Sequence, residues 1–191
     1  MDDGGSGCVV VSAGMKAQKF TLLIVDDDEE ARYLAQHTFE GLATRYKVQL
    51  AGNGEEAIAY LQGDGKFADR KRFEFPSYII TDLNMAPGDG FTLLEFLKDN
   101  PALSVIPVVM LSSSDDPDDI RQAYLLGASS YLVKPRTLAG LKVLLRKVHE
   151  YWSECEVPEV DADGYAVHTS SVGRAGARYT KPKPKPRRTV A

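Results

Sequence analysis

The chain has 191 residues, 43% of them hydrophobic, and a formal net charge of −4. That length accommodates one ordinary domain with appendages, and the apolar content suffices for a packed core. Seven of the 23 basic residues and none of the 27 acidic ones lie beyond Gly164, so the body carries the acidic excess, which disfavours nucleic-acid binding by that body.

Two cysteines, Cys8 and Cys155, make no disulfide framework in a chain of this size and read as free thiols in a reducing compartment. No apolar stretch approaches the length of a membrane span, and the N-terminus lacks the basic and apolar regions of a secretory leader. The expected location is the cytoplasm.

Residues 1–19 are rich in Gly and Ser and read as a flexible extension, within which Met15 is an alternative start. Phe20–Val25 is a continuous apolar run and predicts a buried strand. A helix follows over Glu29–Gly41, with acids in its first turn and Gly41 near its end. Lys47–Ala51 predicts a shorter strand, and Glu55–Leu61 opens a second helix. Gly63–Pro76 interrupts this rhythm with glycines, charges and aromatics. It reads as an extended loop: a tolerated surface insertion, or a partner contact built on Lys66, Arg70, Lys71, Arg72, Phe67, Phe73 and Phe75.

Tyr78–Thr81 is the third predicted strand. Phe91–Lys98 is amphipathic, with Phe91, Leu94 and Leu97 on one side, and Asn100-Pro101 stops it. Ile106–Leu111 is the fourth strand. Asp116 is placed to cap a helix with Pro117 at its first position, running to about Gly127. Ser129–Val133 is the fifth strand and Leu138–Trp152 the last, longer helix. Five strands alternating with five helices predict an α/β fold, one doubly wound parallel sheet with helices on both faces, over residues 20–153. Residues 154–191 read as a disordered basic tail, since Lys181-Pro182-Lys183-Pro184-Lys185-Pro186-Arg187-Arg188 builds no core and favours an extended, solvated chain. Without aromatic interleaving that run lacks base-stacking platforms and reads first as a spacer.

The strand endings carry the chemistry. Asp26, Asp27 and Asp28 follow the first strand, Asp82 the third, Ser112 the fourth and Lys134 the fifth. In an open parallel sheet these endings gather at the carboxyl edge, where such sheets bind ligands. Carboxylates in that number repel one another unless a cation sits among them, and oxygen donors suit Mg²⁺. Asp82, alone on its strand, is placed as a nucleophile toward a phosphoryl group, with Ser112 and Lys134 to stabilise the transferred charge. Asp28 reads as a helix cap rather than a ligand. His37, His149 and His168 lack metal-ligand spacing, and Gly88 and Gly90 form no nucleotide cradle.

Asp26-Asp27, then Asp82 with Asn84, Met85, Asp89 and Gly90, then Ser112, then Lys134-Pro135 is an ordered set that resembles the receiver domain of two-component response regulators. The intervals of 30 residues from Asp82 to Ser112 and 22 from Ser112 to Lys134 are both usual for that family. The resemblance implies a flavodoxin-like sheet of strand order 2-1-3-4-5. It implies phosphoryl acceptance by Asp82 from a histidine kinase, and Mg²⁺ held by Asp27, Asp82 and the Asn84 carbonyl, with Asp26 acting through water. It further implies that Ser112 and Lys134 contact the phosphoryl group, that Tyr131 is the switch aromatic paired with Ser112, and that Lys134–Pro135 is cis. Asn84 and Ser114 take the positions that tune hydrolysis of the acyl phosphate. Two departures from the family pattern are Ala86, where a proline is usual, and Ser112 in place of threonine.

Residues 57–61, 63–76 and 115–120, with Tyr151-Trp152, further resemble the small stand-alone regulators that partner bacterial phytochromes, a subgroup that dimerises through the side of its fourth and fifth helices. The implied function is a signalling switch, not an enzyme beyond handling its own phosphoryl group. A rival is a phosphatase of the haloacid dehalogenase type, which also uses an aspartate nucleophile, Mg²⁺, a hydroxyl and a lysine. That class needs a second aspartate two residues after the nucleophile, where this chain has Asn84. A receiver-like scaffold that is never phosphorylated is the third alternative.

Overall fold

The computed structural model describes residues 20–42, 46–162, 164–167 and 174–178. The expectations for residues 1–19, His168 and the Lys/Pro run lie outside them.

Strand β1 (Phe20–Val25) is buried along its whole length. Helix α1 (Glu29–Leu42) follows, capped by Asp28, whose Oδ1 accepts from the backbone N–H groups of Glu30 at 2.9 Å and Ala31 at 3.3 Å. Strand β2 (Tyr46–Ala51) leads to α2 (Gly54–Gln62), capped by Asn53 and ended by Gly63 at φ +71°, a left-handed conformation that suits glycine. Strand β3 (Tyr78–Thr81), helix α3 (Gly90–Lys98) and strand β4 (Val108–Ser112) come next. Helix α4 (Pro117–Leu125) has Asp116 as its cap, as its sequence predicts, and β5 (Ser130–Val133) and α5 (Leu138–Glu154) complete the body.

The sheet order is β2-β1-β3-β4-β5, all pairs parallel. Successive residues of a strand face opposite sides, so β1 feeds two cores. Leu23 and Val25 join Leu93, Leu94, Leu97 and Met110 on the α2/α3 side. Leu22 and Ile24 join Phe39, Leu141, Leu145 and Trp152 on the α1/α5 side. This is the doubly wound arrangement that the alternating elements predict.

Three sequence expectations are revised. First, Gly63–Pro76 is not a loose surface insertion. Phe67 and Phe75 are buried, and Phe67, Phe73 and Tyr60 meet edge to face with centroids 5.1–6.0 Å apart. Arg70 lies over the Phe75 ring and donates to the carbonyls of Tyr60, Leu61 and Phe73, satisfying the carbonyls that α2 leaves open at its end. Aromatic burial and these charge-assisted bonds hold the segment against the body.

Second, the chain after residue 153 is not without structure. Val157 is 2% exposed within the α1/α5-side core, and three short antiparallel strands follow: β6 (Glu159–Val160), β7 (Tyr165–Val167) and β8 (Arg174–Arg178). A tight turn joins β6 to β7, with Asp161 Oδ1 accepting from the Tyr165 N–H at 3.0 Å. Composition hides this segment because Val157 and Val160 find their cover only against the body.

Third, the Lys134–Pro135 bond is trans, and the cis bond lies at Ala86–Pro87, in the loop after Asp82. The tertiary amide of any X–Pro bond carries little preference of its own, so surrounding packing selects the isomer.

Candidate functional site

The sheet ladder continues past the strand ends and fixes the site residues. The Asp82 N–H donates to the Val25 carbonyl at 2.8 Å, the Asp26 N–H to Ala51 at 3.2 Å, and the Lys134 N–H to Ser112 at 2.7 Å. Asp26 and Asp82 are buried at 6% and 7% exposure, and Ser112 is fully enclosed. Asp27 and Asn84 lie exposed at the rim.

Lys134 Nζ stands 2.7 Å from Asp26 Oδ2 and 2.7 Å from Asp82 Oδ2. The remaining oxygen of each acid is held by backbone: Asp28 N–H donates to Asp26 Oδ1 at 3.0 Å, and Leu83 N–H to Asp82 Oδ1 at 2.7 Å. Both carboxylates are therefore orientationally locked. Burial pushes the Asp26 carboxyl above its ordinary range; the Lys134 hydrogen bond and charge and the Asp28 N–H offset this only in part, and the charge of Asp82 adds to it. Burial alone would lower the Lys134 ammonium, but the hydrogen bonds and charges of Asp26 and Asp82 outweigh it and raise its pKa. The lysine stays charged.

One carboxylate oxygen from each of Asp26, Asp27 and Asp82 lies within 4.8 Å of the others. Three hard oxygen donors facing a single ammonium leave a net negative pocket, the donor set that a divalent cation of the Mg²⁺ type prefers. The residues fit such an ion.

The structure thus brings together Asp26, Asp27, Asp82, Ser112 and Lys134. The Tyr131 side chain is half-buried, and its hydroxyl donates to the Ser114 carbonyl at 3.0 Å, inside the loop that leaves Ser112. His37 stays apart on the α1 surface, edge-on to Tyr33 at 4.2 Å. Gly88 and Gly90 serve close packing: the Gly54 N–H donates to the Gly88 carbonyl at 2.8 Å, and a Cβ at Gly90 would stand 2.5 Å from the Asp82 carbonyl oxygen.

Sequence reading missed two participants. Arg32, on α1, donates to the Asp26 carbonyl at 2.5 Å and braces the loop beneath the acids. Asp119 accepts from Ser114 Oγ at 2.6 Å. Neither has a local signal, since an arginine or an aspartate in a helix's first turns is ordinarily surface charge.

The family model for the response regulator receiver domain matches residues 22–146. The chain belongs to the response-regulator receiver family. Response regulator Rcp1 of Synechocystis is 32% identical over 133 residues, covering 70% of this chain and 88% of that protein. The probable methanogenesis regulatory protein FilR2 of Methanothrix harundinacea is 32% identical over 136 residues, covering 70% and 83%. Among solved structures, the phosphorylated cyanobacterial phytochrome response regulator RcpA superposes with a TM-score of 0.66 at 32% identity, covering 71% of this chain and 95% of that one. The Mn²⁺-bound form of Rcp1 gives 0.67 at 30% identity, covering 73% and 99%.

This receiver is therefore a signalling module of two-component type, similar to small phytochrome-associated regulators, with an acidic pocket suited to a divalent cation. The haloacid-dehalogenase reading finds no support: the matched family is the receiver, and position 84 carries an exposed asparagine where that chemistry needs an acid.

Proposed function

We propose that this receiver accepts a phosphoryl group on Asp82 from the phosphohistidine of a sensor histidine kinase. An Asp82 carboxylate oxygen forms the new O–P bond as the N–P bond of the donor breaks, and the imidazole nitrogen keeps that electron pair. Asp26, Asp27, Asp82 and the Asn84 carbonyl would hold Mg²⁺, which supplies positive charge against the phosphoryl oxygens. Lys134 balances the same charge from the β5 side, and the Ser112 hydroxyl donates to a phosphoryl oxygen. Loss of the group is attack by water on phosphorus, releasing inorganic phosphate and restoring the carboxylate, with Asn84 and Ser114 controlling the approach. The receiver's catalysis extends to its own phosphoryl group alone.

The observation that carries this reading is the Lys134 ammonium 2.7 Å from both Asp26 and Asp82, each acid held by backbone on its other oxygen. The similarity to RcpA, described as a cyanobacterial phytochrome response regulator, supports a phytochrome-type kinase as the partner, in the cytoplasm. Output would pass through a partner protein or a homodimer on the α4–β5–α5 side. Tyr124, Leu125, Val143 and Tyr151 are exposed there, beside an apolar groove of about 410 Å³ lined by Leu132, Leu144 and Val148.

Incubation with acetyl phosphate and Mg²⁺, read by intact mass, tests this. One added phosphoryl group on the native protein and none on Asp82→Asn is the expected result. An unmodified native protein that still binds Mg²⁺ would place it among receiver-like scaffolds.

A further inference from the structure

Asp26 and Asp82 are each held at both carboxylate oxygens, but the third acid of the pocket is not. The Asp27 carboxylate is exposed and has no hydrogen-bond or ion-pair partner among the described residues. Its placement therefore falls to the backbone, which is pinned around it at three points. The Asp26 N–H donates to the Ala51 carbonyl at 3.2 Å, the Asp28 N–H to Asp26 Oδ1 at 3.0 Å, and Arg32 Nη1 to the Asp26 carbonyl at 2.5 Å. The last contact acts on the peptide unit between Asp26 and Asp27. That unit is planar, so a hold on its oxygen also constrains the nitrogen and Cα of Asp27.

Arg32 stands where an arginine is otherwise unfavourable. Its N–H donates to the Asp28 carbonyl at 3.0 Å, near the start of α1, where the helix dipole favours acids. Its side chain runs back toward the helix start, as helical side chains do, and so reaches the Asp26 carbonyl. The same nitrogen faces Gly52 beside Glu56: a Cβ at Gly52 would stand 3.7 Å from Arg32 Nη1 and 3.4 Å from Glu56 Oε2. Glu56 is fixed in turn by the Gly52 N–H and by Lys66 Nζ, both at 2.6 Å. The guanidinium thus joins the β1–α1 loop to the β2–α2 turn, with an anchored carboxylate close by.

We propose that Arg32 is a positioning residue for the metal site: it holds the Asp26–Asp27 peptide so that the Asp27 carboxylate already faces the ion it would share with Asp26 and Asp82. This inference rests on the Mg²⁺-site reading and adds to that site a residue outside the ligand set. Held in advance, Asp27 loses little freedom when the ion arrives; released, it must be ordered on binding, and affinity falls. The charge of Arg32 acts in the opposite sense, since removing one cation beside an acidic pocket favours another. The sign of the change in Mg²⁺ affinity separates the two roles.

The test is Mg²⁺ affinity by titration calorimetry on the full chain, in Arg32→Met, Arg32→Lys, Asp27→Asn and the double Arg32→Met, Asp27→Asn variant, with melting temperatures taken without Mg²⁺. Expected is roughly tenfold weaker binding for Arg32→Met, the scale on which the partners of metal ligands act. Arg32→Lys, which keeps the charge and one donor, should fall between that variant and the native protein. In the Asp27→Asn background Arg32→Met should change the affinity little, because its effect runs through Asp27. Tighter binding by Arg32→Met would leave only its charge, and a lowered melting temperature with unchanged affinity only a structural brace. Equal weakening with and without the Asp27 carboxylate would place the effect elsewhere. Each of these three results overturns the proposal. Should Arg32→Met fail to fold, Arg32→Lys decides: weaker binding than native supports the proposal, and native or tighter binding overturns it. A native chain that binds no Mg²⁺ overturns the metal-site reading and the proposal with it, whereas native binding with an unaltered Arg32→Met overturns the proposal alone.

Discussion

Lys134 Nζ lies 2.7 Å from Asp82 Oδ2, so the charge that would meet an incoming phosphoryl group already sits on the acid that would receive it. Lysine and acceptor are preorganised, and little reorientation is left for the moment of transfer.

The same pairing makes Lys134 a competitor for cations. Lys134→Met leaves Asp26 and Asp82 facing each other without their shared ammonium. In Mg²⁺-free buffer the variant should be less stable by about 1–3 kcal/mol. Saturating Mg²⁺ should restore a larger part of that loss than it adds to the native protein, and Mg²⁺ should bind the variant more tightly. Thermal melts with and without Mg²⁺ check both statements. Equal Mg²⁺ stabilisation of the two proteins would show that the lysine and the ion do not share a site.

The raised Lys134 pKa fixes the sign of an alkaline dependence. The folded state holds this proton more tightly than the unfolded chain, whose lysine titrates near 10.5. The contribution is therefore complete below about pH 10 and falls away as pH rises from there through the folded value. Urea unfolding between pH 9 and 11 should show a steeper loss for the native protein than for Lys134→Met. Subtracting the variant's profile isolates the contribution of Lys134 itself.

Two glycines should respond oppositely to alanine. A Cβ at Gly54 would stand 2.6 Å from the Gly88 carbonyl oxygen and 2.7 Å from that of Asp89, all backbone that cannot give way. Gly54→Ala should cost about 1–3 kcal/mol and disturb the loop that follows Asp82. Gly41, within α1, has nothing within 4 Å of its Cβ position, and Gly41→Ala should stabilise the helix by about 0.5–1 kcal/mol. Denaturant midpoints of the two variants on either side of the native value would confirm the contrast.

The segment after α2 should behave as core. Phe67 is 5% exposed and meets Tyr60 edge to face at 5.3 Å. Phe67→Ala is expected to destabilise by about 3–5 kcal/mol, in the range of buried phenylalanine truncations. Lys71→Ala, on an exposed neighbour, should stay within about 0.5 kcal/mol of native. A Phe67→Ala loss as small as that of Lys71→Ala would return the segment to the status of a surface insertion.

Phe20–Val25, Tyr78–Thr81 and Val108–Ser112 were legible as strands because a buried parallel strand needs an unbroken apolar run, and such a run is local. The polar residues that end these runs were legible as a site for the same reason, since parallel strands must place their carboxyl ends along one edge. Caps at Asp28 and Asp116 were equally readable, each being set by the few residues that follow it.

Sequence alone thus determined the element order over residues 20–153, the doubly wound sheet and the identity of the acids, hydroxyl and lysine at its edge. Only the tertiary structure decided that one ammonium bridges Asp26 and Asp82, separated by 56 residues, or that Asp119 reaches back to Ser114. It also decided that Phe67 and Phe75 are core, that Val157 is buried, and that a proline isomer expected at residue 135 is found at 87. The division follows range: hydrogen-bond periodicity and capping act over a few residues and leave a pattern in the chain. Charge pairing, aromatic burial and loop closure act between segments, and their outcome depends on which surfaces the finished fold brings face to face.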